Sequence, residues 1–419
     1  MTEGAAPAMG VPGPATAAKR AGSPLRIPHF RNLWLGSTVS MIGDQFYLVA
    51  LPWLVLGLTG SGLALGTMMM AAAVPRAVLM LMGGAASDRL TPRTVLLATT
   101  WTRTALVAIV AALTWLHVVQ LWQLYVLSVL FGTADAFGMP AGQALLPTLV
   151  EPEQLTSANA MFAGSMQASG LLGPAPAGLV VSAWGVATAF FADAVSFIFA
   201  IVPLARLPRT SAPPVPEHER ASVLRSIADG VRYVWRDPAL RSLMLIVASV
   251  NLWATGPLTV GMPLLAKLRF GSSAAFGTMM SCFGGGALAG MALAGALKPR
   301  RRRGYLFLGF VGGESIGLVA MPLIRAFPLL ALDLVVVGIF AGIANVSIIA
   351  WIQSHVDHAL MGRVMSVVMF AAIGLMPFSL MLAGLVADRH LTGMLVAAGA
   401  LIGATTIVAG LSPATRHID

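Results

Sequence analysis

Charge is what this chain has least of. Only 10% of its 419 residues are Asp, Glu, Lys or Arg, against about 25% in an ordinary soluble protein. So few ionised groups cannot clothe a water-facing globule of this length, which excludes a soluble fold. The single cysteine, Cys282, lies inside an apolar run and excludes a disulfide framework. No G-x-x-x-x-G-K-[ST] stretch occurs, which removes the loop that cradles ATP phosphates. No Cys/His set has metal-ligand spacing; His355 and His358 lie three apart beside a loop without further donors. Neither a metal nor a cofactor is expected, and no enzymatic chemistry.

What the chain has in quantity is hydrocarbon. Hydrophobic residues make up 57% of it. Apolar runs of about 20 residues, enough to cross a hydrocarbon layer of roughly 30 Å, recur from end to end. Twelve are read, at 33–56, 63–86, 94–116, 121–141, 159–182, 186–205, 240–264, 273–297, 304–324, 329–351, 364–387 and 393–412. The 44 glycines and 26 prolines suit membrane helices better than soluble ones. The expected fold class is an all-α membrane protein embedded in a lipid bilayer.

The net charge of +10 would suit nucleic acid, but its placement excludes that partner. Most Lys and Arg fall before the first span, in the loop after the second, in residues 206–240 and at 298–303, all on one side of the membrane. The positive-inside rule then puts both termini in the cytoplasm, with the basic loops near anionic lipid. Residues 1–27, rich in Ala, Pro and Gly, are expected to form a disordered cytoplasmic tail. Residues 28–205 should form one six-helix bundle and 240–412 a second, followed by a cytoplasmic tail at 413–419. The linker between them, 206–239, contains the Pro-rich stretch 211–216. Within 221–235, Val223, Ile227, Val231 and Val234 recur at helical spacing, which predicts an amphipathic helix on the membrane surface.

Two stretches stand out between the apolar runs. After the second span, Gly83 to Arg93 combines small residues with Gly84, Asp88, Arg89 and Arg93, a tight charged hinge at the membrane surface. In the fifth span, Gly170, Gly173, Pro174 and Gly178 combine close-contact residues with prolines that leave carbonyls unbonded and bend the helix. The first stretch resembles the loop motif G-x-x-x-D-R-x-G-R-[KR] of the major facilitator superfamily of transporters. Thr91 and Pro92 depart from it, standing where the motif has Gly and Arg. The second resembles the G-x-x-x-G-P motif of that superfamily's antiporters. Phe30 to Trp34, Ala134 to Phe137, Ala144 to Pro147 and Gly362 to Ser366 extend the similarity to the branch of drug:proton antiporters and enterobactin-exporter-like proteins (bacterial transmembrane secretion effectors). The resemblance implies twelve helices in two six-helix bundles, a gating role for the loop motif and a seal against ion leak for the helix motif. A second G-x-x-x-D-R, Gly384 to Arg389, follows the eleventh span and by its position faces the opposite side of the membrane.

Ionisable residues inside a bilayer are costly, and functional by default. Asp44, Arg76, Arg103, Asp135, Asp193 and Glu314 all fall within spans, four acids against two arginines. Asp44, Glu314 and Asp135 are the proton-coupling candidates, with Arg76 and Arg103 as their charge partners. Each has a plainer alternative: a static bridge for Asp44, solvation for Asp135, and for Asp193 a neighbouring hydroxyl or backbone group. Met68, Met69, Met70, Phe46, Tyr47, Trp101, Trp253 and Phe283 are candidate cavity walls.

The expected function is proton-coupled efflux of a lipophilic or amphipathic small molecule by alternating access, as a monomer in the bacterial inner membrane. A dedicated siderophore or metabolite exporter of the same fold is the alternative. A non-transporting membrane sensor or scaffold acting through residues 206–240 is a third reading.

Overall fold

The computed structural model describes residues 22–208, 223–296 and 303–411, with the backbone alone at 81–89 and 223–229. A chain in hydrocarbon must satisfy every amide within itself, and helix does this in one segment. The first half contains α1 (Pro28–Thr59), α2 (Gly62–Arg89), α3 (Pro92–Trp115), α4 (Leu121–Leu145), α5 (Leu155–Leu172), α6 (Pro174–Trp184) and α7 (Val186–Ala205). A helix α8 (Val223–Arg236) precedes the second half. That half contains α9 (Pro238–Gly256), α10 (Met262–Phe270), α11 (Ser273–Ala296), α12 (Arg303–Ala320), α13 (Phe327–His355), α14 (His358–Met369) and α15 (Met376–Leu411).

Nine stretches among the described residues are long and apolar enough to cross a membrane. They become twelve crossings for three local reasons. The fifth crossing is cut at Gly173–Pro174 into α5 and α6, because proline cannot supply an amide to the preceding turn. The ninth is the shorter apolar helix Gly304–Ala320. The last stretch, Leu360–Leu411, holds two crossings, separated where His390 leaves helical geometry (φ −146°, ψ 67°). Twelve alternating crossings put both chain ends at the same end of the molecule, the terminal end; the opposite is the far end.

The halves are built alike. In the first, α2 packs on α4, and α1 and α3 on α7; in the second, α11 packs on α13, and α9 and α12 on α15. Gly286 and Gly290, four apart, set α11 directly against the carbonyls of Val335 and Ile339 on α13. The halves meet along two seams, α2 with α15 and α5–α6 with α11. π-turns at Pro257–Gly261 and Phe370–Gly374 interrupt the seventh and eleventh crossings, the same place in the order of spans that the first and fifth hold. Leu268, Trp184, Ile316 and Val408, each exposed, form the apolar outer surface that lipid would cover.

Residues 22–27 include a 3-10 turn, Pro24–Arg26, and Gly22's carbonyl accepts a hydrogen bond from Gln154 at 2.7 Å; the rest of the expected tail lies outside the described residues. Part of the linker, 209–222, does so too. The amphipathic segment forms α8, which lies against α14: a Cβ on Gly230 would collide with the Arg363 carbonyl, and Val234 is buried.

Candidate functional site

Between the halves lies a cavity of about 470 Å³. Its first-half wall comes from α1, α2, α3 and α4, and carries every charged group that lines it: Asp44, Arg76, Arg103 and Asp135. Arg103 Nη2 donates to Asp44 Oδ1 at 2.5 Å, and Arg103 Nε lies 3.3 Å from Asp135 Oδ1, within ion-pair range but without hydrogen-bond alignment. Arg76 approaches the other oxygen of Asp135 at 3.9 Å and also donates to the Met376 sulfur at 3.1 Å. The four residues form one chain of alternating sign, Asp44–Arg103–Asp135–Arg76, spread over four helices.

Aromatic rings hold the centre of this chain in place. The Arg103 guanidinium sits over Phe131 at 4.9 Å and over Phe197 at 4.7 Å. Tyr47 stacks on the same Phe131, with ring centroids 4.8 Å apart. Behind the wall, Asp193 is fully buried beside Gly43, whose Cβ would lie 3.0 Å from Asp193 Oδ1. Ser196 Oγ donates to the Asp193 carbonyl at 2.7 Å, while Asp193 Oδ2 has no hydrogen-bond partner among the described residues. Three acids therefore share two arginines on this side of the protein.

The second-half wall is of another kind. Leu258, Thr259, Met262, Phe276, Met280, Phe283 and Met376 supply thioether, aromatic and aliphatic surface without a charge. Leu258 and Thr259 belong to the first π-turn, and Met376 follows the second, so both interruptions turn residues toward the cavity.

Of the candidates read from the sequence, Asp44, Asp135, Arg76 and Arg103 come together here. Glu314 does not. It is buried on the face of α12 that also carries Phe307, Val311, Leu318 and Met321, directed into the second half, and it makes no ion pair with the described residues. Gly313 beside it offers no room, because a Cβ there would collide with the Phe340 ring. Met68, Met69, Tyr47 and Phe283 line the cavity, whereas Phe46, Met70, Trp101 and Trp253 are not among its lining residues. Phe131, Met262 and Met280 carried no sequence signal that separates them from lipid-facing residues. Asp333, also in a span, was overlooked; its Oδ2 is buried without a partner among the described residues.

The two motifs occupy structural joints. The side chains of Gly84, Asp88 and Arg89 lie outside the described residues. Arg93 reaches the end of α7, donating from Nε to the Leu204 carbonyl at 3.2 Å and from Nη2 to the Ala205 carbonyl at 2.6 Å, where a cation meets the negative end of a helix. Thr91 caps α3 and Pro92 occupies its first turn, so the departures from the motif serve helix initiation. The Gly170–Gly178 stretch forms the α5–α6 side of the second seam. A Cβ on Gly178 would lie 2.5 Å from the Ser273 carbonyl, and Ser273 Oγ donates to the Gly178 carbonyl at 3.1 Å. Ser281 Oγ accepts from the Ala175 amide at 3.0 Å.

Two pseudo-equivalent six-helix halves around one central cavity are a transporter's architecture. The profile of the Major Facilitator Superfamily matches residues 33–378. The chain belongs to that superfamily. This facilitator is therefore a multi-pass membrane transporter of small molecules, not an enzyme. It is 30% identical to the multidrug efflux pump Tap of Mycolicibacterium fortuitum over 397 residues, covering 90% of this chain and 94% of the relative. It is 23% identical to macrolide efflux protein A of Streptococcus pyogenes, covering 93% and 97%. Among solved structures, a point mutant of the nucleoside transporter NupG superposes with a TM-score of 0.72 at 13% identity, over 91% of this chain and 99% of that one. A bacterial homologue of the iron transporter ferroportin, in an inward-facing state, gives 0.68 at 16%, over 93% and 100%. At these identities the two structures bear on the fold alone.

Proposed function

We propose that this facilitator exports lipophilic or amphipathic small molecules across the bacterial inner membrane in exchange for protons. The observation that carries the reading is the division of the cavity: an acid–arginine chain on one wall, adaptable thioether and aromatic surface on the other. The likeness to Tap and to macrolide efflux protein A supports efflux. The clustering of Lys and Arg supports termini in the cytoplasm. The protein works as a monomer, since each chain encloses its own cavity.

The mechanism follows from charge balance. With both cavity carboxylates ionised, Arg103 is shared between Asp44 and Asp135. A proton arriving on Asp44 cancels its hold on Arg103, which then belongs to Asp135 alone. The wall thereby exchanges one ion pair for another while the two bundles, 28–205 and 240–412, rock about the cavity. Asp44 carries the proton, Asp135 receives the released guanidinium, and Arg76 keeps Asp135 ionised. Gly84, Asp88, Arg89 and Arg93 gate the terminal end, and the Gly170–Gly178 seam keeps the halves sealed. Glu314, away from the cavity, has no part in this exchange.

Purified protein in liposomes should move fluorescent amphiphiles when a pH gradient is imposed, and several unrelated compounds should compete. No gradient-driven movement would refute coupled export. Competition confined to one chemical class would identify a dedicated metabolite exporter.

A further inference from the structure

The turn between α1 and α2, at the far end, brings two helix ends together: the last carbonyls of α1 and the first amides of α2. Such ends carry about half an elementary charge, negative at the carbonyl end and positive at the amide end. The second half presents the opposite charge to each. Lys267, in the last turn of α10, donates from Nζ to the Leu56 carbonyl in the last turn of α1. Asp388, on α15, accepts from Ser61 Oγ at 2.6 Å, from the Gly62 amide and from the Leu63 amide at 3.1 Å. In both places sign and helix end match, and exchanging the two residues would make both contacts repulsive.

The backbone beneath is fitted to this grip. A Cβ on Gly66 would lie 2.5 Å from the Leu380 carbonyl and 2.8 Å from the Gly384 Cα, so α2 and α15 meet with no side chain between them. Gly384 and Asp388 are the glycine and aspartate of the second G-x-x-x-D-R, the copy at the opposite end from Gly84 and Asp88. Neither Lys267 nor Asp388 lines the cavity.

We propose that Lys267 and Asp388 form a two-charge clamp that grips the α1–α2 turn and holds the far end shut, each acting as a positioning residue for the access cycle. The clamp rests on the rocking of two halves proposed above. Opening the far end must break these four polar contacts at one small turn, which makes the closed state discrete and reversible. The sequence repeat then has a physical use: an aspartate at the far end of the α2–α15 seam, opposite the aspartate of the loop motif.

The test measures distances between spin labels placed at Leu116 and Leu323, exposed far-end positions in opposite halves, in a Cys282→Ala background. Wild type should show a dominant short distance and a minor long one. Asp388→Asn and Lys267→Met should each shift the ratio toward the long distance by about tenfold, the combined scale of a lost cap and a lost charge–dipole contact. Ser61→Ala, which removes one donor and keeps the carboxylate, should shift it the same way by less. Arg389→Gln, at the exposed neighbouring charge, should leave it unchanged. Two populations whose ratio ignores both Asp388→Asn and Lys267→Met, or a shift from Arg389→Gln as large as theirs, would overturn the clamp. A single wild-type distance, unchanged by substrate or pH gradient, would instead remove the rocking reading beneath it; Ser61→Ala keeps the clamp testable where a charge variant fails to fold.

Discussion

The two walls of the cavity face each other and solve different problems. The first-half wall holds two acids and two arginines, locked between Phe131 and Phe197, where position matters at the level of single hydrogen bonds. The second-half wall holds Met262, Met280, Met376, Phe276 and Phe283, side chains that accept varied shapes at little cost. The difference teaches that the proposed proton chemistry and substrate breadth are carried by separate helices. One can change without the other, which is what a pump for many compounds requires.

The largest break in that division should come from Arg103→Met. It strands Asp44 and Asp135 together, and leaving a buried charge uncompensated costs about 3–5 kcal/mol, so initial transport rates should fall by roughly 100-fold or more. Transport within a few-fold of wild type, per folded protein, would show that the pairing has no function. Asp135→Asn leaves Arg103 paired to Asp44 and should cost about tenfold, read as the same rate in liposomes.

Changes on the other wall should act by compound. Met280→Ala should alter the apparent affinity for individual amphiphiles by about two- to fivefold, upward for some and downward for others, while protons moved per substrate stay constant. A change in coupling instead would erase the distinction between the walls. Glu314→Gln should have the smallest effect, within about twofold in rate with coupling intact, because the residue faces the interior of the second half.

The sequence exposed the membrane class, the twelve crossings and four members of the charged wall. Helix length and hydropathy carry the first two; charges in apolar spans are rare enough that Asp44, Arg76, Arg103 and Asp135 announce themselves. What they could not announce is which of them meet, since that depends on how α1 to α4 rotate about their axes. Glu314 looked equivalent for the same reason, and only the burial pattern of α12 separates it from the cavity. The cavity methionines were hidden by composition: among 23 of them, periodicity does not distinguish Met280 from one facing lipid. The repeat at Gly384–Asp388 was visible, but its partner, the start of α2, lies more than 300 residues away in sequence.

The central claim, that carboxylates of the first-half wall carry the proton, is tested most directly by counting protons. A pH-sensitive dye trapped in liposomes reads proton movement while an amphiphile runs down its own gradient, for wild type, Asp44→Asn and Asp44→Asn/Asp135→Asn. Wild type should move protons opposite to the substrate, Asp44→Asn should move substrate with proton movement reduced about tenfold, and the double variant should move none. Wild-type proton movement in the double variant would contradict the account.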